Sequence, residues 1–391
     1  MTTLDWSARL DAVCEVAARH ADDVDRQARL PSEALSELRR QRLLAVPVDG
    51  AARRRALPAA VAACDRIAQA CASTGLIFAM HHAQAASLMA GFEATPGRAR
   101  FMDRIAAGEF LLASSTTEGR GGDIRKSDCF VQRRDNGRIA VAREGAVVSY
   151  AAAADGILLT AREDEAAPAS RQVMVLLLRE QLQLAMRGGW DAFGMRGTAS
   201  CAYAIEGEAN ADHVSDVPFA GILQDTMLPL SHLLWSACWI GIARGAARKA
   251  ARYLRERLPP DNPRAAPAAR RLDEAWRDVA SAEALLAACL GRHLREGGAN
   301  LASALEGQWE FNHLKVRVSE AAVRAVRQAA DVCGLDGYRN DGPFAMGRHL
   351  RDSLSSLYML HNDRIAAAMM ESQNALGDRF RRELPLEAAH G

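Results

Sequence analysis

Ala113-Ser114-Ser115-Thr116-Thr117-Glu118-Gly119-Arg120-Gly121-Gly122-Asp123 runs a string of hydroxyl side chains into a glycine-rich turn, at the point where the hydrophobic period of the chain changes. Such a segment can offer backbone N–H groups to a flat polar ligand or a phosphate, because glycine adopts geometries that a Cβ forbids. Taken alone, the plainer reading of a strand leading into a surface turn has the stronger claim.

Upstream of this stretch, from Asp5 to about Ala107, apolar residues recur three and four apart, as in Leu30, Leu35, Leu38 and Leu43, then Ile67, Ile77 and Met80. That spacing predicts helices. Pro31-Ser32-Glu33 suits a first helical turn, and Pro47 to Gly50 predicts a break. Downstream to about Val217, short runs such as Phe130-Val131-Gln132, Ile139-Ala140-Val141, Gly156 to Leu159 and Val173 to Leu178 predict strands. After Leu228 the helical period returns and holds to about Phe380, broken at Pro259 to Pro263 and at the glycine-rich segment Gly334 to Gly347. The expectation is an α+β fold: a helical domain over 1–108, a β domain over 109–222 and a helical bundle over 223–391.

With 391 residues, 49% of them hydrophobic, the chain is long enough for two or three cores, which excludes fibrous and disordered readings. A formal charge of +1 gives no field to draw it to nucleic acid or an anionic membrane, so a small molecule is the expected partner. Only Lys126, Lys249 and Lys315 are lysines among 49 basic residues, which reads as coding bias. The eight cysteines form no C-x-x-C pair, as expected of reduced, mostly buried thiols rather than a zinc or disulfide framework. Met1 to Leu10 is polar, and no uninterrupted apolar stretch approaches the roughly 20 residues of a membrane span. A cytoplasmic protein without a membrane partner is expected.

Three further features follow in order: Gly194-Met195-Arg196-Gly197-Thr198-Ala199-Ser200 before the alternating Cys201 to Ile205, then Gly334-Leu335-Asp336-Gly337-Tyr338, then Arg351-Asp352. Together with the first stretch they resemble the acyl-CoA dehydrogenase family over roughly Asp5 to Phe380. The family's T-E-P-x-x-G-S-D signature is echoed by Thr117-Glu118 and Gly122-Asp123. Its G-x-R-x-T-x-S motif is echoed by Gly194, Arg196, Thr198 and Ser200, its Q-x-x-G-G-x-G-[FY] turn by Asp331, Gly334, Gly337 and Tyr338, and its R-D pair by Arg351-Asp352.

The resemblance implies an N-terminal helical domain, a β-barrel-like middle domain, a C-terminal four-helix bundle, a bound flavin and a homodimer or homotetramer. It places Ser115 and Thr117 at the pyrimidine edge of the flavin, with Gly122 in the same loop, and Ser149 near flavin N5 as a donor to reduced flavin. A strand-end hydroxyl satisfying its own backbone is an equal reading of Ser149. Gly334 and Gly337 would let a dinucleotide from a neighbouring subunit approach closely.

The departures carry the functional argument. The loop is one residue shorter than the signature and lacks its proline, and the R-x-x-F-G motif for the FAD pyrophosphate is not recognisable around Arg255 to Asn262, which leaves FMN open beside FAD. Removal of a proton α to a thioester carbonyl needs a carboxylate beside the flavin. One family position for it falls near Leu360, the other near Ser231-His232, and neither holds glutamate. His361 and Asp363, with Asn362 between them as an expected cofactor contact, and separately Ser231 and His232, resemble the oxygen-using branch of the family, in which serine and histidine near the flavin serve oxygen chemistry or take a substrate proton. Polar caps between subunits are the plainer reading of His361 and Asp363.

Adjacent His81 and His82 in an apolar helix point in different directions, which disfavours a metal pair. His313 and His349 read as ordinary helix or interface residues, and Arg264, Arg270 and Arg271 as a solvated rim that could also meet a CoA or carrier-protein phosphate. The expected function is a flavin-dependent oxidoreductase, a monooxygenase or oxidase acting on an acyl thioester or related small molecule, served by a separate flavin reductase or electron acceptor. The alternatives are an acyl-CoA or acyl-carrier dehydrogenase with a non-standard base such as Asp363, and a non-catalytic binding or assembly paralogue.

Overall fold

The computed structural model describes residues 3–93, 96–118, 122–296 and 305–376. Five helices come first: α1 (Thr3–Gln27), α2 (Ser32–Arg40), α3 (Gly50–Ala70), α4 (Ala72–Gly91) and α5 (Pro96–Ala106). The break expected at Pro47 to Gly50 ends in a cap, where Asp49 accepts a 2.7 Å hydrogen bond from the Ala52 N–H and satisfies a donor the new helix leaves open. Helix α4 is buried on nearly all faces, which its lack of a polar stripe requires.

The strands form two sheets. Strands β1 (Leu112–Ser115), β4 (Gly156–Arg162) and β5 (Gln172–Leu178) lie in the order β1-β4-β5, with β1 parallel to β4. Strands β2 (Gln132–Arg133), β3 (Arg138–Val148), β6 (Leu182–Gly188) and β7 (Cys201–Asn210) form an antiparallel sheet in the order β2-β3-β7-β6. Covered on both faces, β4 and β5 read as continuous apolar runs, whereas the exposed β6 gave no such run. Of Phe130 to Gln132 only Gln132 enters a strand; Phe130 makes an isolated bridge to Arg162.

Helix returns at Phe219, earlier than its spacing suggests: α6 (Phe219–Ile222), a π turn at Leu223–Met227, then α7 (Leu228–Arg257). This 39-residue run holds an 18-residue window of mean hydropathy 1.3, long and apolar enough to span a membrane, where the sequence reading expected no such stretch. Its window is 78% buried, because α7 is the central helix against which α3, α4, α8 (Ala265–Glu296) and α9 (Leu305–Tyr338) pack. Two shorter helices follow, α10 (Gly347–Tyr358) and α11 (Asn362–Leu376). Where a glycine turn was expected from Gly334, α9 continues through a kink at Gly334 (φ 55°, ψ −132°) and ends at Tyr338. All eight cysteines are unpaired, and all but Cys14 are buried.

Candidate functional site

Two sequence motifs 157 residues apart meet at the centre of the molecule. A Cβ on Gly194 would sit 2.1 Å from the Arg351 carbonyl oxygen, so only glycine lets the turn before β7 reach α10. Beside it the Met195 N–H donates to Asp352 Oδ1 at 2.7 Å. Arg351 reaches the Asp25 carboxylate, and Arg196 Nε donates to the Asp25 carbonyl at 2.8 Å, which ties α1 to the same point. Burial pushes the Asp352 carboxyl up to about 6 against the nearby Arg348 charge.

From this junction a chain of hydroxyls leads outward. Thr198 Oγ1 donates to the Met195 carbonyl at 2.8 Å. Ser200 Oγ lies 2.8 Å from Thr198 Oγ1, and Ser149 Oγ lies 2.8 Å from Ser200 Oγ. Each hydroxyl has one hydrogen. Thr198 uses its own on the carbonyl, so Ser200 donates to Thr198 and Ser149 donates to Ser200. Half-buried Ser149 therefore turns lone pairs, rather than a hydrogen, toward any ligand beside it. This direction differs from the donor implied by the family resemblance.

The loop after β1 is held by a buried ion pair. Arg143, whose side chain is 0% exposed, lies 3.2 Å from Glu118 Oε1. It also donates to Ser115 Oγ at 3.0 Å, to Ser127 Oγ at 3.3 Å and to the Thr160 carbonyl. Glu118 accepts in turn from the Cys129 N–H at 3.1 Å and from Ser127 Oγ at 3.1 Å. The Thr-Glu pair thus has divided duties: Glu118 and Ser115 anchor the loop, and half-buried Thr117 makes no hydrogen bond among the described residues. Gly122 sits under the Glu118 carbonyl, 2.2 Å from where a Cβ would stand. Gly119 to Gly121 lie outside the described residues.

In the bundle the named residues divide. Ser231 and His232 are buried on α7, and His232 Nδ1 donates to the Phe311 carbonyl at 3.0 Å. Burial and the neighbouring Lys315 charge lower His232 to about 4, so it is a neutral imidazole at neutral pH and a weak base. Lys315 is fully buried and has no carboxylate partner among the described residues. Its Nζ donates to the Ser356 carbonyl at 2.9 Å and to Asn362 Oδ1 at 2.6 Å, and it stands 5.5 Å from the Trp239 ring centroid. Burial lowers its amine to about 8. Asn362 also donates to Ser319 Oγ at 3.0 Å, so its amide is engaged inside the bundle.

The turn between α10 and α11 carries Leu360 and His361 at positive φ, 57° and 20°. His361 and Asp363 are exposed there, with the Tyr358 ring edge-on to His361 at 6.3 Å. Gly334 faces the Arg264 guanidinium, and Gly337 packs against Cys333. The structure thus gathers Ser149, Ser200 and Thr198 at the Asp352 junction, and Ser231, His232, Lys315 and Asn362 inside the bundle. Glycines 334 and 337 lie apart, at the far end of α9. His81 and His82 each bond a backbone carbonyl, of Leu44 and Leu43, and no group of three metal-ligating side chains occurs among the described residues.

Sequence reasoning missed Arg143 and Lys315. Arg143 sits in an unremarked strand, but Lys315 had a signal: a lysine kept in an arginine-dominated chain, on a helix face with Leu314, Val318 and Ala322. A flavin fits the residues present in two respects: the lone pairs of Ser149 are unclaimed, and Thr117, on the loop after β1, carries a half-buried hydroxyl.

The acyl-CoA dehydrogenase N-terminal domain matches residues 8–109, and the acyl-CoA dehydrogenase C-terminal domain matches residues 222–370. No curated protein matches the chain. Among solved structures, a butyryl-CoA dehydrogenase from Megasphaera elsdenii superposes with a TM-score of 0.79 at 17% identity, covering 96% of this chain and 99% of that one. A nitrososynthase from Micromonospora carbonacea var. africana gives 0.76 at 20% identity, covering 96% and 98%. A dibenzothiophene monooxygenase from Paenibacillus sp. A11-2 gives 0.71 at 21% identity, covering 98% and 99%. Identities this low speak for the path of the chain alone, and that path is common to dehydrogenase and monooxygenase. With both helical regions matched in sequence and the motif junction at Asp352 joining them to the β region, the chain belongs to the acyl-CoA dehydrogenase family.

Proposed function

We propose that this protein is a flavin-dependent oxidoreductase that passes electrons from a small-molecule substrate, or from a separate flavin reductase, to dioxygen. The observation that carries the reading is the chemistry at the two places from which the family presents a base. On α7 that place holds Ser231 and a neutral His232 committed to the Phe311 carbonyl. On the α10–α11 turn it holds Leu360 and His361, with Asp363 exposed beyond them. Neither offers the buried carboxylate that α-proton abstraction requires.

The flavin, when bound, supplies the electron transfer. The chain's own groups do the rest. Ser149, oriented through Ser200 and Thr198, accepts a hydrogen bond at the edge of the site, and Asp352 fixes the turn that carries this chain by holding the Met195 N–H.

FAD and FMN both remain within the proposal. The lost R-x-x-F-G motif favours FMN, and the dibenzothiophene monooxygenase has been solved FMN-bound. A homodimer or homotetramer in the cytoplasm completes it, supported by exposed Leu335, Tyr338, Tyr358 and Met370 toward the C-terminal end. The test is a visible spectrum of the purified protein with added FAD or FMN, followed by octanoyl-CoA without oxygen. A bound flavin that octanoyl-CoA leaves oxidised supports the reading; a colourless protein that binds neither flavin rejects it.

A further inference from the structure

A cavity of about 520 Å³ lies between α4, the N-terminal end of α7 and the segment joining α2 to α3. Its size suits a compact organic molecule. Leu57, Leu230 and Leu234 give it apolar walls, but two residues of its lining each carry an unsatisfied polar atom. Asp225 Oδ1 and His293 Nδ1 are both shielded from solvent and lack any hydrogen-bond partner among the described residues. Asp225 stands in the π turn before α7, a local irregularity often found at functional sites. His293, 6% exposed, reaches the cavity from α8.

Buried groups left without partners are costly, and a ligand that satisfies them gains what the empty cavity lacks. An alkyl chain filling this space would leave both atoms unpaired. The charges around them narrow the ligand further. The Asp225 carboxylate disfavours an anion near it; of the three arginines in the lining, Arg53 is committed to the Pro47 and Val48 carbonyls and Arg42 faces Glu109, while Arg54, close enough to lower the His293 pKa, disfavours a cation at the other polar point. Burial raises the Asp225 carboxyl with no cation offsetting it, and His293, lowered to about 4, is a neutral imidazole whose Nδ1 can donate or accept.

We propose that this cavity binds a neutral, compact, largely apolar molecule bearing a hydroxyl group, whose hydrogen is accepted by Asp225 or His293, rather than the acyl tail of a thioester. Calling that molecule the substrate rests on the flavoenzyme reading above; the binding itself does not. Helix α7 serves both, because it presents Leu230 and Leu234 to the cavity while its intervening His232 turns to the bundle.

The test is calorimetric titration of the full chain, flavin-free and flavin-loaded, with 2-naphthol, with naphthalene and with octanoyl-CoA. The expected result is that 2-naphthol binds, that naphthalene binds roughly tenfold more weakly, and that octanoyl-CoA does not displace the naphthol. Asp225→Asn and His293→Gln are each made, and at least one weakens 2-naphthol roughly tenfold while its melting temperature stays at or above that of the parent. Equal affinity for naphthalene, displacement by octanoyl-CoA, or unchanged 2-naphthol affinity in both folded variants overturns the proposal. Binding of 2-naphthol by a protein that takes up no flavin would reject the flavoenzyme reading and leave this one standing.

Discussion

Two fully buried cations, Arg143 in the β region and Lys315 in the bundle, are housed in opposite ways. Arg143 has a carboxylate at 3.2 Å and hydroxyl and carbonyl acceptors around it, so the loop after β1 closes as an ion-pair network. Among the described residues Lys315 has only a carbonyl, an amide oxygen and an aromatic face, and burial lowers its pKa to about 8. A paired buried charge locks a segment at any ordinary pH, whereas an unpaired one ties its segment to proton concentration. Ser115 and Glu118 at the expected flavin edge are thus fixed, and the turn bearing His361 hangs from a titratable amine through Asn362.

The largest effect is expected where that contrast is broken on the paired side. Glu118→Gln leaves the Arg143 guanidinium buried without its countercharge and is expected to lose about 3–5 kcal/mol of stability in urea denaturation. A loss under about 1 kcal/mol would mean that the surrounding neutral acceptors suffice and the contrast with Lys315 is false.

Next comes the acid limb of stability. His232 falls from an unfolded value near 6.5 to about 4 when buried. Between those values the unfolded chain binds more protons, so stability drops as pH falls from about 6.5 through 4. His232→Gln, which keeps a hydrogen bond without a titrating ring, is expected to recover about 3 kcal/mol of that loss at pH 4. Buried His81 and His293, each also lowered to about 4, keep the limb steep in the variant, while Asp352, raised to about 6, opposes them because the folded state holds its proton longer.

Lys315 gives a comparable effect at the other end. Its folded pKa of about 8 lies below the unfolded 10.5, so its penalty is full below pH 8 and disappears as pH rises to 10.5. Stability from this residue therefore rises with pH, by about 3 kcal/mol over that window. The difference between parent and Lys315→Met melting profiles isolates it; parallel profiles from pH 8 to 10.5 would show that the amine does not titrate there.

Ser149→Ala is the smallest. It removes the free end of the hydroxyl chain and is expected to cost about 1 kcal/mol of stability or less and to weaken flavin binding roughly fivefold, read by fluorescence titration. Unchanged flavin affinity would place the flavin elsewhere.

Much of this could be read in advance, for physical reasons. Spacing in α1 to α3 gave the helical region because one face of each is apolar, and β4 and β5 announced themselves because both faces are covered. Strand β6 did not, since its exposed side chains carry no pattern. The Gly194 and Asp352 motifs were visible, but not that one receives the other, because a contact across 157 residues leaves no local periodicity. Composition alone could not place Lys315: three lysines among 49 basic residues look like codon usage until the burial of this one is known. The cavity polar groups Asp225 and His293 were equally silent, for an acid in a π turn and a histidine in a long helix look ordinary in one dimension.

The most direct test of the central claim, a flavoenzyme without the dehydrogenase base, is anaerobic addition of acyl-CoA thioesters of several chain lengths to the flavin-loaded protein while its visible absorbance is followed. The account predicts that the flavin stays oxidised with every thioester and, once chemically reduced, is reoxidised when air is admitted. Bleaching by an acyl-CoA in the absence of oxygen would contradict it and require a carboxylate base that neither His232 nor the α10–α11 turn supplies.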